Sequence, residues 1–172
     1  MKVYHGSLER ICVPEIRKPN RTLDYGAGFY TTTDFDQAKH WVERHKNEDV
    51  QLGYVNVYEV DDAKLKEAKV LWFDKPTESW VDFVYSNRND KSFCHNYDFV
   101  YGPVANDRVY AAFALYESGI LDKKELIREL KTYKLVDQLL FHTNKALTLL
   151  HYIEGGFYKF NVNMKYFENT FL

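Results

Sequence analysis

The sequence has little cysteine, no long apolar run and almost no net charge, and each shortage excludes a class of protein. The two cysteines, Cys12 and Cys94, are too few for a disulfide framework and lack the paired spacing of a zinc site. No apolar run approaches the roughly 20 residues that a membrane helix needs, and no charged segment followed by an apolar one marks a secretory leader. We therefore expect a soluble, cytoplasmic protein that binds no metal and no membrane.

The formal net charge of −2 leaves no overall field to attract nucleic acid, so any polyanion binding has to be local. Aromatic residues are abundant instead, at 17% of the chain. Together with the other apolar residues they reach 45% of 172 residues, which is enough to fill one core. We expect a single domain over residues 1–172, with residues 156–172 as an aromatic C-terminal tail that is either a strand or dependent on a partner.

Short runs rich in β-branched and aromatic residues are spread along the whole chain. The runs that predict strands are MKVYH, FYTTT, YVNVYEV, KVLWF, YDFVYGPV and LVDQLLFH. Helices are predicted after Thr33 or Asp34, over TESWVDFVYSNR, after Asn106 or Asp107, over DKKELIRELKTY and over TNKALTLLHYI. Because strands and helices do not alternate regularly, the pattern favours a mixed α+β domain over a parallel sheet.

Some side chains are predicted to be caps or core residues. Ser7 is placed to cap a helical turn through LERI, and PEIRKPNRTLD reads as an exposed loop. In the helix after Asp34, the residues on one face are Phe35, Ala38, Trp41 and Val42, which predicts that this face is buried.

Two stretches near the N-terminus combine glycine with residues that can bind a ligand. In VYHGS, His5 ends a strand and Gly6 leaves the backbone unobstructed, so an imidazole and backbone amides can meet one ligand. In GAGFYTTT, Gly26 and Gly28 allow a close backbone approach or a positive φ just before Tyr30. Taken singly, a histidine at a strand end and a Gly-x-Gly turn are more often structural than functional.

Taken together and in this order, VYHGS and GAGFYTTTDFDQAKHW resemble two motifs of the ADP-ribosyltransferase superfamily, in its diphtheria-toxin and poly(ADP-ribose) polymerase branch. The third signature of that branch is a glutamate on a late strand, and Gln138 stands in the corresponding context of LVDQLLFHT. Over most of residues 1–150 the chain also resembles a bacterial family of that superfamily, one often encoded beside a small partner protein in toxin-antitoxin-like arrangements. The resemblance implies an ADP-ribosyltransferase-like core, a mixed, split β-sheet with surrounding helices.

The resemblance also implies NAD as co-substrate and a role for each matching residue. His5 would bind the adenosine-side ribose, the Gly6 backbone would hold the nicotinamide amide, and Tyr30 would stack on the nicotinamide ring. His40 or Trp41 would cover the other face of that ring, and Gln138 would meet the nicotinamide ribose. Three further residues are candidates for binding NAD: Ser7, Gly28 and Arg88, the last of which is also explained as a helix-end cation.

Gln138 is the point at which the chain departs from the branch. Breaking the nicotinamide–ribose bond produces a centre like an oxocarbenium ion, which a carboxylate stabilises well. A glutamine can hydrogen-bond ribose hydroxyls, but it carries no charge and cannot act as a general base. Asp137 should point to the opposite sheet face, and His142 lies about 13 Å further along an extended strand. The residues present therefore favour NAD binding over transfer.

The sequence leaves three functions open. The first is an ADP-ribosyltransferase that modifies a protein or nucleic-acid acceptor, as the toxin of a toxin-antitoxin pair. The second is a catalytically weak or inactive module that binds NAD or a related nucleotide. The third is an interaction protein that docks a small antitoxin-like partner through its aromatic surface.

Overall fold

The computed structural model describes residues 1–45, 52–103, 107–159 and 169–170 of the chain. The strands are β1 (Lys2–Ser7), β2 (Phe29–Thr31), β3 (Leu52–Val60), β4 (Val70–Trp72), β5 (Phe99–Pro103), β6 (Asp137–Phe141), β7 (Leu150–Lys159) and β8 (Asn169–Thr170). The helices are α1 (Phe35–His45), α2 (Asp62–Leu65), α3 (Glu78–Asn89), α4 (Asp107–Glu117), α5 (Lys123–Leu130) and α6 (Asn144–Leu147). Each of the six predicted strand runs contains a strand, and the mixed α+β class is confirmed.

The strands form two four-stranded sheets. Sheet A has the order β1-β3-β7-β8 and is antiparallel throughout, whereas sheet B has the order β2-β6-β5-β4 and contains one parallel pair, β4 with β5. The sheets meet at their edge strands β1 and β2. There the amide of Tyr4 donates to the carbonyl of Thr32 at 2.8 Å, and the amide of Thr32 donates back at 3.0 Å.

Apolar clusters fill the layers between these elements. One cluster joins the two sheets and includes Val3, Tyr58 and Val60 of sheet A with Phe29, Phe99, Leu139 and Phe141 of sheet B. A second covers the other face of sheet B, where Val100 and Leu140 pack against Trp80, Phe83, Val84, Phe113, Leu126 and Leu130 of α3, α4 and α5. We call this second layer the helix-side core. Because β6 is buried on both faces, its apolar run is continuous rather than alternating.

Helix α1 packs on sheet A through a close approach to Gly6. The carboxylate of Asp34 accepts from the Gln37 amide at 2.9 Å, so Asp34 begins the helix as predicted. Ala38 and Val42 are buried, but Trp41 is 41% exposed, so the prediction that it lies with them in the core is wrong. A Cβ at Gly6 would be 2.2 Å from the Ala38 carbonyl oxygen. The helix therefore lies too near β1 for an indole to fit beneath it.

Three other local predictions need correction. The Ser7 hydroxyl accepts from the Glu9 amide at 3.0 Å, but LERI forms no helix. TNKALTLLHYI forms one helical turn, α6, and then enters β7 at Leu150, because the long strand β3 is paired with β7 over most of its length. Asp24, in the predicted exposed loop, is only 8% exposed.

The C-terminal tail is described in part. Residues 156–159 form the end of β7, and β8 pairs with them. Residues 160–168 and 171–172 lie outside the described residues, as does Asn106, the candidate cap of α4. Among the residues described, no helix has both the length and the apolar character needed to cross a bilayer.

Replacing Gly6 by alanine should destabilise the fold, because the new Cβ would meet backbone of α1 that cannot move alone. We expect a loss of about 1–3 kcal/mol in the free energy of unfolding, measured by denaturant titration. Gly155→Ala is the matched control, since the Cβ there would meet the movable Tyr152 hydroxyl at 2.7 Å. Equal losses in the two variants would show that the approach of α1 to β1 is not tight.

Candidate functional site

His5 lies on β1 where the two sheets meet. Its Nδ1 is 2.6 Å from the carbonyl oxygen of Tyr30, and its ring packs on Phe29 with centroids 4.4 Å apart. Because a carbonyl only accepts, Nδ1 carries the proton and Nε2 of the neutral ring is an acceptor. Burial lowers the pKa of His5 from 6.5 to about 4, so the ring is neutral at pH 7. His5 can therefore accept a hydrogen bond from a ligand hydroxyl.

Gly6 presents backbone groups at the outer edge of β1. The amide and carbonyl of Tyr4 both point away from β3, since they bond to Thr32. Backbone direction repeats every second residue of a strand, so the amide and carbonyl of Gly6 point the same way. The pairing of Tyr4 with Thr32 is an isolated bridge, which leaves these groups of Gly6 without a backbone partner among the residues described. This edge offers a ligand one donor and one acceptor.

Trp41 lies beside this edge. A Cβ at Gly6 would be 3.3 Å from the Cβ of Trp41. The exposed indole stacks on His45 with ring centroids 3.9 Å apart, and Nδ1 of His45 bonds to the Trp41 carbonyl at 2.7 Å. His40, the alternative stacking residue, points into solvent near Glu43. Of the two candidates, Trp41 is therefore the one that the structure brings close to Gly6.

The Tyr30 side chain points to the helix-side core, away from His5. Its hydroxyl donates to the carbonyl of Gly26 at 2.8 Å, and burial raises the pKa of Tyr30 well above its usual value. Gly28 is pressed against β6, since a Cβ there would be 2.8 Å from the Phe141 carbonyl oxygen. Tyr30 thus contacts His5 through its backbone carbonyl, and its hydroxyl stabilises the turn over residues 26–28, which we call the glycine turn.

Gln138 also points into the helix-side core. It is 8% exposed and lies beside the buried hydroxyl of Tyr25, which donates to the Pro103 carbonyl and accepts from the indole of Trp80 at 2.6 Å. The Nε2 atom of Gln138 has no hydrogen-bond partner of normal geometry in the part of the chain that the structure describes. Gln138 is therefore a buried amide whose donor is unsatisfied.

Arg88 is part of a buried ion pair. Its Nε and Nη2 atoms both lie 2.7 Å from Oδ1 of Asp24, and both side chains are about nine-tenths buried. The guanidinium also lies over the rings of Tyr110 and Phe113, at 4.1 and 4.6 Å from their centroids. This pairing ties the segment before the glycine turn to α3. Asp24 was missed by the sequence reasoning, and its place next to the Gly26 turn was the available signal.

Asp137 faces the other way from Gln138, as the alternation of β6 predicts. Its carboxylate accepts from the Thr33 amide at 2.8 Å and from the hydroxyls of Thr32 and Thr33. It lines a cavity of about 710 Å³ that also contains Asp34, Lys75 and Tyr101, but not His5, Tyr30 or Gln138. The carboxylate nearest to Gln138 in sequence is thus fixed at a different opening.

Two further histidines hold the glycine turn. Nδ1 of His142 donates to the carbonyl of Ala27 at 2.7 Å, and the His142 and His95 rings lie edge to face with centroids 4.4 Å apart. Burial, with a smaller effect of His95, lowers the pKa of His142 to about 4. No group of three or more histidine, cysteine or acidic side chains suited to a metal occurs in the described ranges.

The candidate residues therefore divide into two groups. His5, Gly6 and Trp41 lie at β1, with the imidazole on the face that packs on Phe29 and Trp41 on the opposite face, which α1 covers. The side chains of Tyr30, Gln138 and Arg88 point into the helix-side core. The Ser7 hydroxyl, at the end of β1, already accepts from the Glu9 amide. Tyr30 is the residue common to both groups, since its carbonyl meets His5.

The chain belongs to a known family. Residues 1–152 match the family model described as "Protein of unknown function (DUF3990)". No curated protein and no solved structure shows a significant match to the chain.

The two buried histidines predict acid sensitivity. His5 and His142 have a pKa of about 4 when folded and 6.5 when unfolded, so the unfolded chain takes up more protons between these values. Stability is therefore full above pH 6.5 and falls as the pH drops towards 4, by up to about 1.4 kcal/mol per pH unit for each histidine. Denaturant titrations at several pH values should show this slope.

Asparagine variants test the source of the slope. His142→Asn keeps a donor for the Ala27 carbonyl but cannot titrate, and we expect a shallower slope than in the wild type. His151→Asn, at an exposed position near the start of β7, is the matched control for the loss of one imidazole. A His142→Asn slope equal to that of the wild type would contradict the assignment.

Proposed function

We propose that this chain is an NAD-dependent ADP-ribosyltransferase whose nicotinamide site lies at the junction of β1, β2 and α1. One observation carries the proposal: the imidazole of His5 contacts the backbone of Tyr30, although 25 residues separate them. The two stretches that resemble the superfamily thus meet in one place. A sheet split into two four-stranded halves that touch at β1 and β2 is also compatible with an ADP-ribosyltransferase-like core.

The outer edge of Gly6 fits the carboxamide of nicotinamide. That group has a carbonyl acceptor and an amide donor, and Gly6 offers a donor and an acceptor side by side. The Cβ of Trp41 lies close to Gly6, and the indole is exposed enough to lie against an aromatic ring. A Cβ at position 6 would collide with α1, so glycine is needed there for packing as well as for access.

The neutral state of His5 also suits NAD. The nicotinamide ring of NAD carries a positive charge, which a second cation nearby would repel. Because burial keeps His5 neutral, its Nε2 can accept from a ribose hydroxyl without that repulsion. The residues around β1 would thus hold the leaving ring and orient the ribose before the bond breaks.

A second candidate function, NAD binding without transfer, is favoured by Gln138. Its side chain is neutral and 8% exposed, and it lies against the Tyr25 hydroxyl rather than at the β1 edge. A group in that position supplies no charge to stabilise an oxocarbenium-like centre.

The acceptor, a protein or a nucleic acid, and a small antitoxin-like partner enter the proposal on the sequence resemblance alone.

A nicotinamide-release assay with labelled NAD, beside NAD titration by calorimetry, tests the proposal. His5→Asn is the sharpest variant, because its amide keeps a donor for the Tyr30 carbonyl and loses the acceptor at Nε2. We expect the wild type to bind NAD and release nicotinamide, and His5→Asn and Trp41→Ala each to bind at least about tenfold more weakly, or about 1.4 kcal/mol. His151→Asn should match the wild type.

The outcomes separate the two candidates. Binding without release, in lysate as well as in buffer, favours the binding module, and absence of both overturns the proposal. Gln138→Glu adds a further check. The buried surroundings of position 138 would keep a carboxyl there protonated, so we expect the rate of nicotinamide release to change by less than about threefold. A rise of about tenfold or more would show that position 138 reaches the reacting ribose.

A further inference from the structure

Strand β4 is an edge strand of sheet B. It pairs with β5 in parallel, and no other described strand lies on its outer side. The carbonyl of Lys69 accepts from the Phe99 amide at 3.3 Å, and the amide of Phe73 donates to the Tyr101 carbonyl at 2.9 Å. Lys69, Leu71 and Phe73 therefore direct their backbone groups towards β5. By the alternation of a strand, Val70 and Trp72 direct theirs outwards.

The outward backbone groups of Val70 and Trp72 have no partner among the residues described. Their side chains are also exposed, by 37% and 47%. The Trp72 indole stacks on Tyr101 with centroids 3.8 Å apart, which leaves its other face open. An edge with free backbone groups and exposed apolar side chains is a template for an added strand.

A cavity of about 790 Å³ lies beside this edge. Its apolar lining comes from Leu71, Trp72, Phe73, Phe83, Phe93 and Tyr97. Leu71 and Phe73 pack with the helix-side core, so the cavity opens on the helix side of β4. A strand added beside β4 would alternate its side chains between this cavity and the Trp72 face.

Charge limits the kind of strand that fits. Exposed lysines stand at both ends of β4, Lys69 before Val70 and Lys75 after Trp72. At the Lys69 end, the Asp98 carboxylate faces two lysines, Lys69 and Lys145, so the lysines there outnumber the carboxylate. The Lys75 end also carries the Asp74 carboxylate, which accepts from the neutral Trp72 indole at 2.6 Å. A segment with an acidic residue at the end beside Lys69 complements this edge.

We propose that the outer edge of β4, with the adjoining aromatic cavity, binds an extended segment of a partner protein that adds a strand to sheet B. The segment has apolar side chains at alternate positions and an acidic residue at the end that lies beside Lys69. Backbone hydrogen bonds to Val70 and Trp72 supply affinity, and the cavity selects the apolar side chain. This surface lies apart from His5 and Gly6, so the inference does not depend on NAD chemistry.

Synthetic peptides of the form acetyl-EVTXTVE-amide, with X as Phe, Tyr, Trp, Leu or Ile, are the probe. We expect at least one to bind the full chain with a dissociation constant near or below about 100 μM, measured by calorimetry. Val70→Pro removes an outward N–H and should weaken binding about tenfold or more, while Val70→Thr, the matched control, keeps it. Replacing both glutamates by lysine should also weaken binding.

Backbone methylation gives a test that does not rely on the variant folding. In a paired strand, alternate N–H groups face the partner, so methylating the odd-numbered amides and the even-numbered amides should have opposite outcomes. We expect one methylated set to lose binding and the other to retain it. Equal binding by both sets, or by Val70→Pro, would overturn the proposal.

Two further results would overturn it. Failure of all five peptides to bind at about 1 mM would show that Lys69 and Lys75 protect the edge rather than recruit a segment. A dimer in sedimentation velocity that Val70→Pro abolishes would show that the edge is covered by a second copy of the chain.

Discussion

The contact between β1 and β2 is the constraint on which the rest of this structure depends. Two backbone hydrogen bonds between Tyr4 and Thr32, and the bond from the His5 ring to the Tyr30 carbonyl, hold two separate sheets edge to edge. The cluster between the sheets can be buried only when these edges are in register. The same register ends the pairing at Tyr4 and so leaves the backbone of Gly6 available. Stability and the candidate site thus come from one junction.

Helix α1 follows from that junction. Only Thr32 and Thr33 separate β2 from Asp34, which begins the helix, so α1 must return across β1. The absence of a side chain at Gly6 lets the Ala38 turn approach the strand, and this approach turns Trp41 outwards. An aromatic residue at the edge of a helix is therefore placed beside free backbone groups by packing alone. The Trp41 indole is therefore exposed to a ligand without loss of packing in the core.

Much of the fold could be predicted from local pattern. LVDQLLFH and FYTTT were recognisable as strands because β-branched and aromatic residues cluster there, and Trp80, Phe83 and Val84 share the inner face of α3 as expected. TNKALTLLHYI could not be predicted correctly, because β7, the strand that begins within it, is stabilised by pairing with β3, which is far away in sequence. Likewise, the burial of Asp24 depends on Arg88, which is 64 residues away, and the sequence around Asp24 does not indicate this partner.

Tyr30 links the two groups of candidate residues. Its contacts decide which aromatic side chain is free to stack on the ligand proposed for the β1 edge. Its carbonyl is already committed to His5, and its hydroxyl to Gly26, in a turn that His142 and the Asp24–Arg88 pair also hold. Stacking of the phenol on a ligand ring would require the hydroxyl to leave Gly26, which costs about 1 kcal/mol for the hydrogen bond. Trp41 needs no such change, because its indole is already exposed. Stacking by Trp41 is therefore the arrangement that this structure makes available without rearrangement, and any contribution of the Tyr30 ring depends on movement of the glycine turn.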